Sequence, residues 1–85
     1  MEQVKIGKVY RHFKGHYYFV ENVALDSEKK ERMVVYKAIY DRPDSQIWVR
    51  PEKMFLEEIP ERPDNITGQK HRFELVNDIE KDYLK

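Results

Sequence analysis

Two short stretches of the 85-residue chain place cations next to aromatic rings. In Tyr10-Arg11-His12-Phe13, an extended backbone sends Arg11 and Phe13 to one side and Tyr10 and His12 to the other. In Ile47-Trp48-Val49-Arg50 the same alternation separates Trp48 and Arg50 from Ile47 and Val49. With Ile47 and Val49 directed at a core, Trp48 and Arg50 stand outside or at a rim. An indole beside a guanidinium can stack a base and hold a phosphate or carboxylate. The expected site is a groove rimmed by Arg11, Trp48 and Arg50, joined by Tyr17 or Tyr36. Its expected ligand is anionic or extended, either single-stranded nucleic acid or a peptide. The competing reading buries Trp48 in the core and pairs Arg50 with a local acid such as Glu52.

Other reactive side chains are less organised. His12 and His16 are four apart, but Gly15 and the β-forming residues around them argue against a helix. Across a hairpin the two could approach each other, with His71 as a third, yet a zinc site needs three or four ligands and their supporting partners. Ser27 lies between Asp26 and Glu28 without a nucleophile-elbow motif, so a turn hydrogen bond is its expected work. Glu57 and Glu58 point to opposite faces of a strand and cannot act on one bond. Gly7, Gly15 and Gly68 are too dispersed for a phosphate loop. The expectation is a non-catalytic protein with no metal and no cofactor.

Composition narrows the field further. Sixteen Lys+Arg balance sixteen Asp+Glu, and there is no cysteine, which excludes a disulfide scaffold and thiolate chemistry. Eleven aromatics in a chain that is 40% apolar can build a small core. Charge is distributed unevenly: residues 1–20 carry Lys5, Lys8, Arg11 and Lys14 against Glu2, and residues 51–85 carry nine acids against six bases. A basic, aromatic amino-terminal segment suits an anion-binding face. No apolar run is long enough to span a membrane, and the amino terminus does not read as a signal peptide. With the lack of cysteine, this leads to an expected cytoplasmic location.

The elements that must position these residues are short strands. Residues 6–13 and 16–24 read as a hairpin turned at Lys14-Gly15, where glycine accepts a positive φ. Both faces of the second strand are mixed, one turning polar at Glu21 and the other at Asn22. Residues 32–40 are apolar on nearly both faces and read as a central strand. Residues 46–50 form a short strand ahead of Pro51, then one helical turn leads into a last strand over 55–59. A polar stretch, 60–70, is expected as a flexible loop. A strand or extended piece to about Val76 and a short helix complete a single domain, 1–85. The expected fold is mainly β, a small SH3-like antiparallel barrel over residues 4–59 with a C-terminal appendage over 71–85. An open α+β sheet covered by the tail helix is the alternative.

Several words in this sequence stand in a familiar order. They are Gly7-Lys8-Val9-Tyr10-Arg11-His12-Phe13-Lys14-Gly15, Val34-Val35-Tyr36, Tyr40, and Trp48-Val49-Arg50-Pro51 with Met54-Phe55. Together they resemble the small bacterial family called domain of unknown function 1653, over roughly residues 6–59. The family's His-Ser-Glu-Thr word is here Asp26-Ser27-Glu28-Lys29, so a function resting on that histidine would be missing. The resemblance implies a compact β-rich domain of a bacterial or phage cytoplasm and supplies no substrate. Two other readings stay open: a purely structural or oligomerisation domain, and a small enzyme or metal-binding protein using His12 and His16.

Overall fold

The computed structural model describes residues 3–39 and 46–76. Within them the chain forms β1 (Val9–His12), β2 (Tyr17–Leu25), β3 (Arg32–Ala38), β4 (Ile47–Pro51), a one-turn α1 (Glu52–Phe55) and β5 (Phe73–Leu75). The five strands make one antiparallel sheet in the order β4-β3-β2-β1-β5.

The first hairpin follows from its turn residues. Gly15 has φ +102°, a conformation that costs glycine little. Its N–H donates to the His12 carbonyl at 2.8 Å, and the His12 N–H donates to the His16 carbonyl at 2.8 Å. The turn from β2 to β3 is built on Asp26. Its Oδ1 accepts the N–H groups of Glu28 at 2.9 Å and Lys29 at 3.0 Å. These bonds hold its carboxyl below the usual carboxylate range. The residue standing where the family word has histidine therefore shapes a turn.

The mixed faces of β2 have a structural cause. Val20 pairs with Tyr36, but Asn22 pairs with Val35, so the register shifts at Glu21. Such a bulge adds one residue and changes which side chains face inward beyond it. Tyr18 and Val20 reach the core before it, and Val23 packs against the core after it.

That core is one cluster: Val4, Tyr10, Val20, Val34, Tyr36, Phe55 and Phe73. Phe55, from α1, lies flat on Phe73, from β5, with ring centroids 4.0 Å apart and planes 2° from parallel. Tyr10 and Tyr36 meet Phe55 edge-on at 5.3 and 5.2 Å. The helical turn thus plugs the concave side of the sheet. Glu52 anchors it by accepting from Arg32 Nε at 2.8 Å and from the Val4 N–H at 2.9 Å. The hydrogen bonds from Arg32, and then the one from the Val4 N–H, hold that carboxyl below its ordinary value against the opposing effect of burial.

Two expectations need correction. The barrel does not close: β4 and β5 are the two edges of the sheet, and among the described residues they do not pair with each other. The sheet curls enough for their side chains to meet, since the Arg50 guanidinium lies 5.9 Å from the Phe73 ring centroid. The 55–59 segment is also not a ladder strand. It contributes a single bridge, Glu58 to His71. The strand that completes the sheet is β5, which pairs with β1. The C-terminal helical appendage lies outside the described residues.

In the segment expected as a flexible loop, residues 60–70, Asn65 Nδ2 donates to the Gln69 carbonyl at 2.9 Å. Asn65 Oδ1 accepts the Gly68 N–H at 3.1 Å. Buried Gln69 ties the segment to β1: its amide donates to the Arg11 carbonyl and its Oε1 accepts from Arg11 Nε, both at 2.9 Å.

Candidate functional site

On the inner face of the sheet, His12, Tyr18, Tyr36, Trp48, Arg50 and Phe73 line one pocket of about 190 Å³. Each strand contributes through its register. Tyr36 lies opposite Trp48, and Val34 lies opposite Arg50. Because Val34 and Tyr36 are core residues, their partners on β4 share the inner side. This reverses the expected orientation of β4. Ile47 and Val49 are 62% and 61% exposed on the outer side. Trp48 and Arg50 are half-buried and face the concave side. Past Arg32, β3 is apolar on both faces but for Lys37, so apolarity alone did not decide which side of its neighbour turned in.

Phe73 and Tyr36, both buried, form the floor. Tyr18 stands edge-on to Phe73 at 5.5 Å, to Tyr36 at 5.6 Å and to Trp48 at 6.0 Å. Arg50 lays its guanidinium over this aromatic wall, and its Nε donates to the Tyr36 hydroxyl at 3.2 Å. The long side chain covers apolar surface while its charged end stays at the opening. Glu52 is committed to Arg32 rather than to Arg50, and among the described residues no carboxylate pairs with Arg50.

His12 closes the pocket from β1. Its ring stacks on Phe13 at 4.3 Å and meets Phe73 edge-on at 4.8 Å. Its Nδ1 accepts the Lys14 N–H at 3.1 Å. Burial, followed by the charges of Arg72, Arg50, Lys14 and His16, lowers its pKa to about 4. The ring is therefore neutral at pH 7. Its proton sits on Nε2, because Nδ1 is the acceptor.

The five residues expected to rim a groove separate into two groups. Tyr36, Trp48 and Arg50 converge at this pocket. Arg11 and Tyr17 pair with each other across β1 and β2, one position out of phase with Tyr10 and Tyr18. They occupy the opposite face of the sheet, where Arg11 holds Gln69. Three residues of the pocket were not anticipated: His12 as a pocket wall, Tyr18 and Phe73. The alternation in Tyr10-Arg11-His12-Phe13 already put His12 on the side away from Arg11. Nothing in the sequence tied Phe73 to Trp48.

The remaining candidates have structural partners. His71 Nδ1 lies 3.3 Å from Glu74 Oε2. Glu57 Oε1 accepts from Arg72 Nε at 2.7 Å. Among the described residues, no three His, Asp or Glu side chains gather in a way that could hold a metal ion.

Comparison with known proteins now places the chain. A family model described as protein of unknown function (DUF1653) matches residues 8–75. The chain belongs to the DUF1653 family. The match runs past Ile59, the rough end of the resemblance read from the sequence words, and takes in β5, the strand that supplies Phe73. A crystal structure of a DUF1653 protein from Bordetella bronchiseptica is similar to this chain, with 32% identity and a TM-score of 0.68. The alignment covers 86% of this chain and 87% of that one. No curated protein matches the chain. In this DUF1653 chain the pocket draws on β1 through β5, so each strand of the sheet has a part in shaping it.

Proposed function

We propose that this DUF1653 domain is a non-catalytic binding module of the cytoplasm for an anionic, extended ligand, and that the ligand is single-stranded nucleic acid. The observation that carries the reading is the convergence of Trp48, Tyr18 and the Arg50 guanidinium on one small opening. Aromatic faces accept any base, and a guanidinium beside them meets the phosphate. The pocket, about 190 Å³, is smaller than the roughly 300–1,000 Å³ of a site that engulfs a whole small molecule. It suits one group of a longer ligand. A curled sheet of the SH3-like kind, left open between its edge strands β4 and β5, suits the same use.

The test is binding of a fluorescent ten-nucleotide oligothymidylate across a salt series. Affinity is expected to fall as salt rises, with a logarithmic slope of about 0.7 per phosphate neutralised. Trp48→Ala should weaken binding by about 1–3 kcal/mol, the usual worth of one stacked base. Retained circular dichroism would show that the variant is folded. No binding at low salt, or affinity indifferent to salt, ends this reading.

A second reading, a structural or oligomer-forming domain, has its own observation. Ile47 and Val49 present exposed apolar side chains on the outer side of an edge strand. Edge strands of that kind invite pairing with another chain.

A further inference from the structure

We infer that the pocket recognises the phosphorylated end of a strand, a phosphate monoester, rather than the strand's interior. This rests on the reading of the domain as a single-strand binder and specifies which part of the strand enters. The pocket is bottomed by Phe73 and Tyr36, 2% and 5% exposed, so a strand cannot thread through it. What enters must be an end or a single splayed group.

The polar chemistry of the lining separates those two. Among the described residues, no lining side chain is a carboxylate or a carboxamide, and the Tyr18 and Tyr36 hydroxyls are its side-chain oxygen acceptors. The Tyr36 hydroxyl already accepts from Arg50 Nε at 3.2 Å. Arg50 carries donors only, and neutral His12 offers an Nε2–H because Nδ1 accepts from Lys14. A base splayed into such a lining brings its own N–H donors along with its acceptors. A terminal phosphate brings acceptors only, up to three oxygens, with a charge between about −1.5 and −2 near neutral pH. Both donors lie against one ring: the Phe73 centroid is 4.8 Å from the His12 ring and 5.9 Å from the Arg50 guanidinium carbon. The charged groups that act on His12 are all basic: Arg72, Arg50, Lys14 and His16. Arg72 and Lys14 already face Glu57 and Asp64, so a dianion at that point neutralises above all Arg50, a charge that an uncharged base would leave standing. The adjoining sugar and base then lie toward Trp48 and Tyr18.

The experiment compares one oligothymidylate in three forms, 5′-phosphorylated, 3′-phosphorylated and hydroxyl-ended, with fluorescence anisotropy as the readout. At least one phosphorylated form should bind about ten-fold more tightly than the hydroxyl-ended strand. Arg50→Gln should erase that gain, so that the variant binds the phosphorylated and hydroxyl-ended strands alike. Inorganic phosphate at millimolar concentration should compete only with the phosphorylated form. Equal affinity for all three strands overturns end recognition and leaves strand binding intact. If none of the three binds, both readings fall together. An equal gain from a phosphoserine peptide over its unmodified form overturns the assignment to nucleic acid.

Discussion

A single ring shows how burial and charge act together in this domain. His12 is half-buried against Phe13, Tyr18 and Phe73, and the charged groups that act on it are basic. An imidazolium there would lose water and face like charges, so the folded state prefers the neutral ring. The unfolded chain has no such preference and protonates near pH 6.5, whereas the folded ring waits until about 4. Between those values the unfolded state binds more protons, so stability rises with pH across the window and is lost on acidification. The ring's partial exposure to solvent reduces the size of the effect. In thermal melts, the wild-type midpoint is expected to fall between pH 7 and 4.5 more than that of His12→Phe. Parallel curves for the two proteins would remove His12 as the source. The lowered carboxyl of Glu52 acts in the same direction but below its ordinary value of 4.5, so the two windows can be separated.

At the scale of elements, α1 is short and the most consequential. Four residues give it almost no helical stability of their own. It exists because Pro51 sets its entry, Glu52 is tied to Arg32 and Val4, and Phe55 is wholly buried on Phe73. The stacked pair joins the element after β4 to β5, and so holds the two sheet edges on either side of the pocket. Phe55→Ala should cost about 3–5 kcal/mol, the usual range for a buried phenylalanine. Urea unfolding would measure it, and a loss under 1 kcal/mol would show that the ring carries little of the core. The single helical turn was legible in Pro51-Glu52-Lys53-Met54-Phe55. An extended piece to about Val76 was legible too, but Phe55-Leu56-Glu57-Glu58-Ile59 was expected as the last barrel strand, and nothing local ranked Phe73-Glu74-Leu75 above it as the strand that completes the sheet. Only pairing with β1 selects the second.

At the scale of the molecule, the open sheet leaves two sides with different prospects. The concave side holds the cation and the rings, and the outer side of β4 holds Ile47 and Val49. If the concave side is the working face, the 10.4 kDa chain should elute as a monomer. The double change Ile47→Lys and Val49→Lys should then leave both its mass by light scattering and its oligonucleotide affinity unaltered. A dimer that this change splits would favour the structural reading instead.

Local chemistry was enough to announce most of the strands, the Gly15 turn, the central place of β3 and the pairing of an indole with a guanidinium on one side of β4. Those features depend on neighbours in the chain: alternation, turn residues and β-branched runs. Which side of β4 faces inward, whether Arg11 joins Arg50, and where the sheet stops short of closing depend on residues far apart in sequence. A strand apolar on nearly both sides offers little local bias to its neighbour, so the register opposite Val34 and Tyr36 decided the first. The bond from Arg11 to Gln69, 58 positions away, accompanied the second. Among the described residues β5 pairs with β1 alone and β4 is left as the other edge, which decided the third.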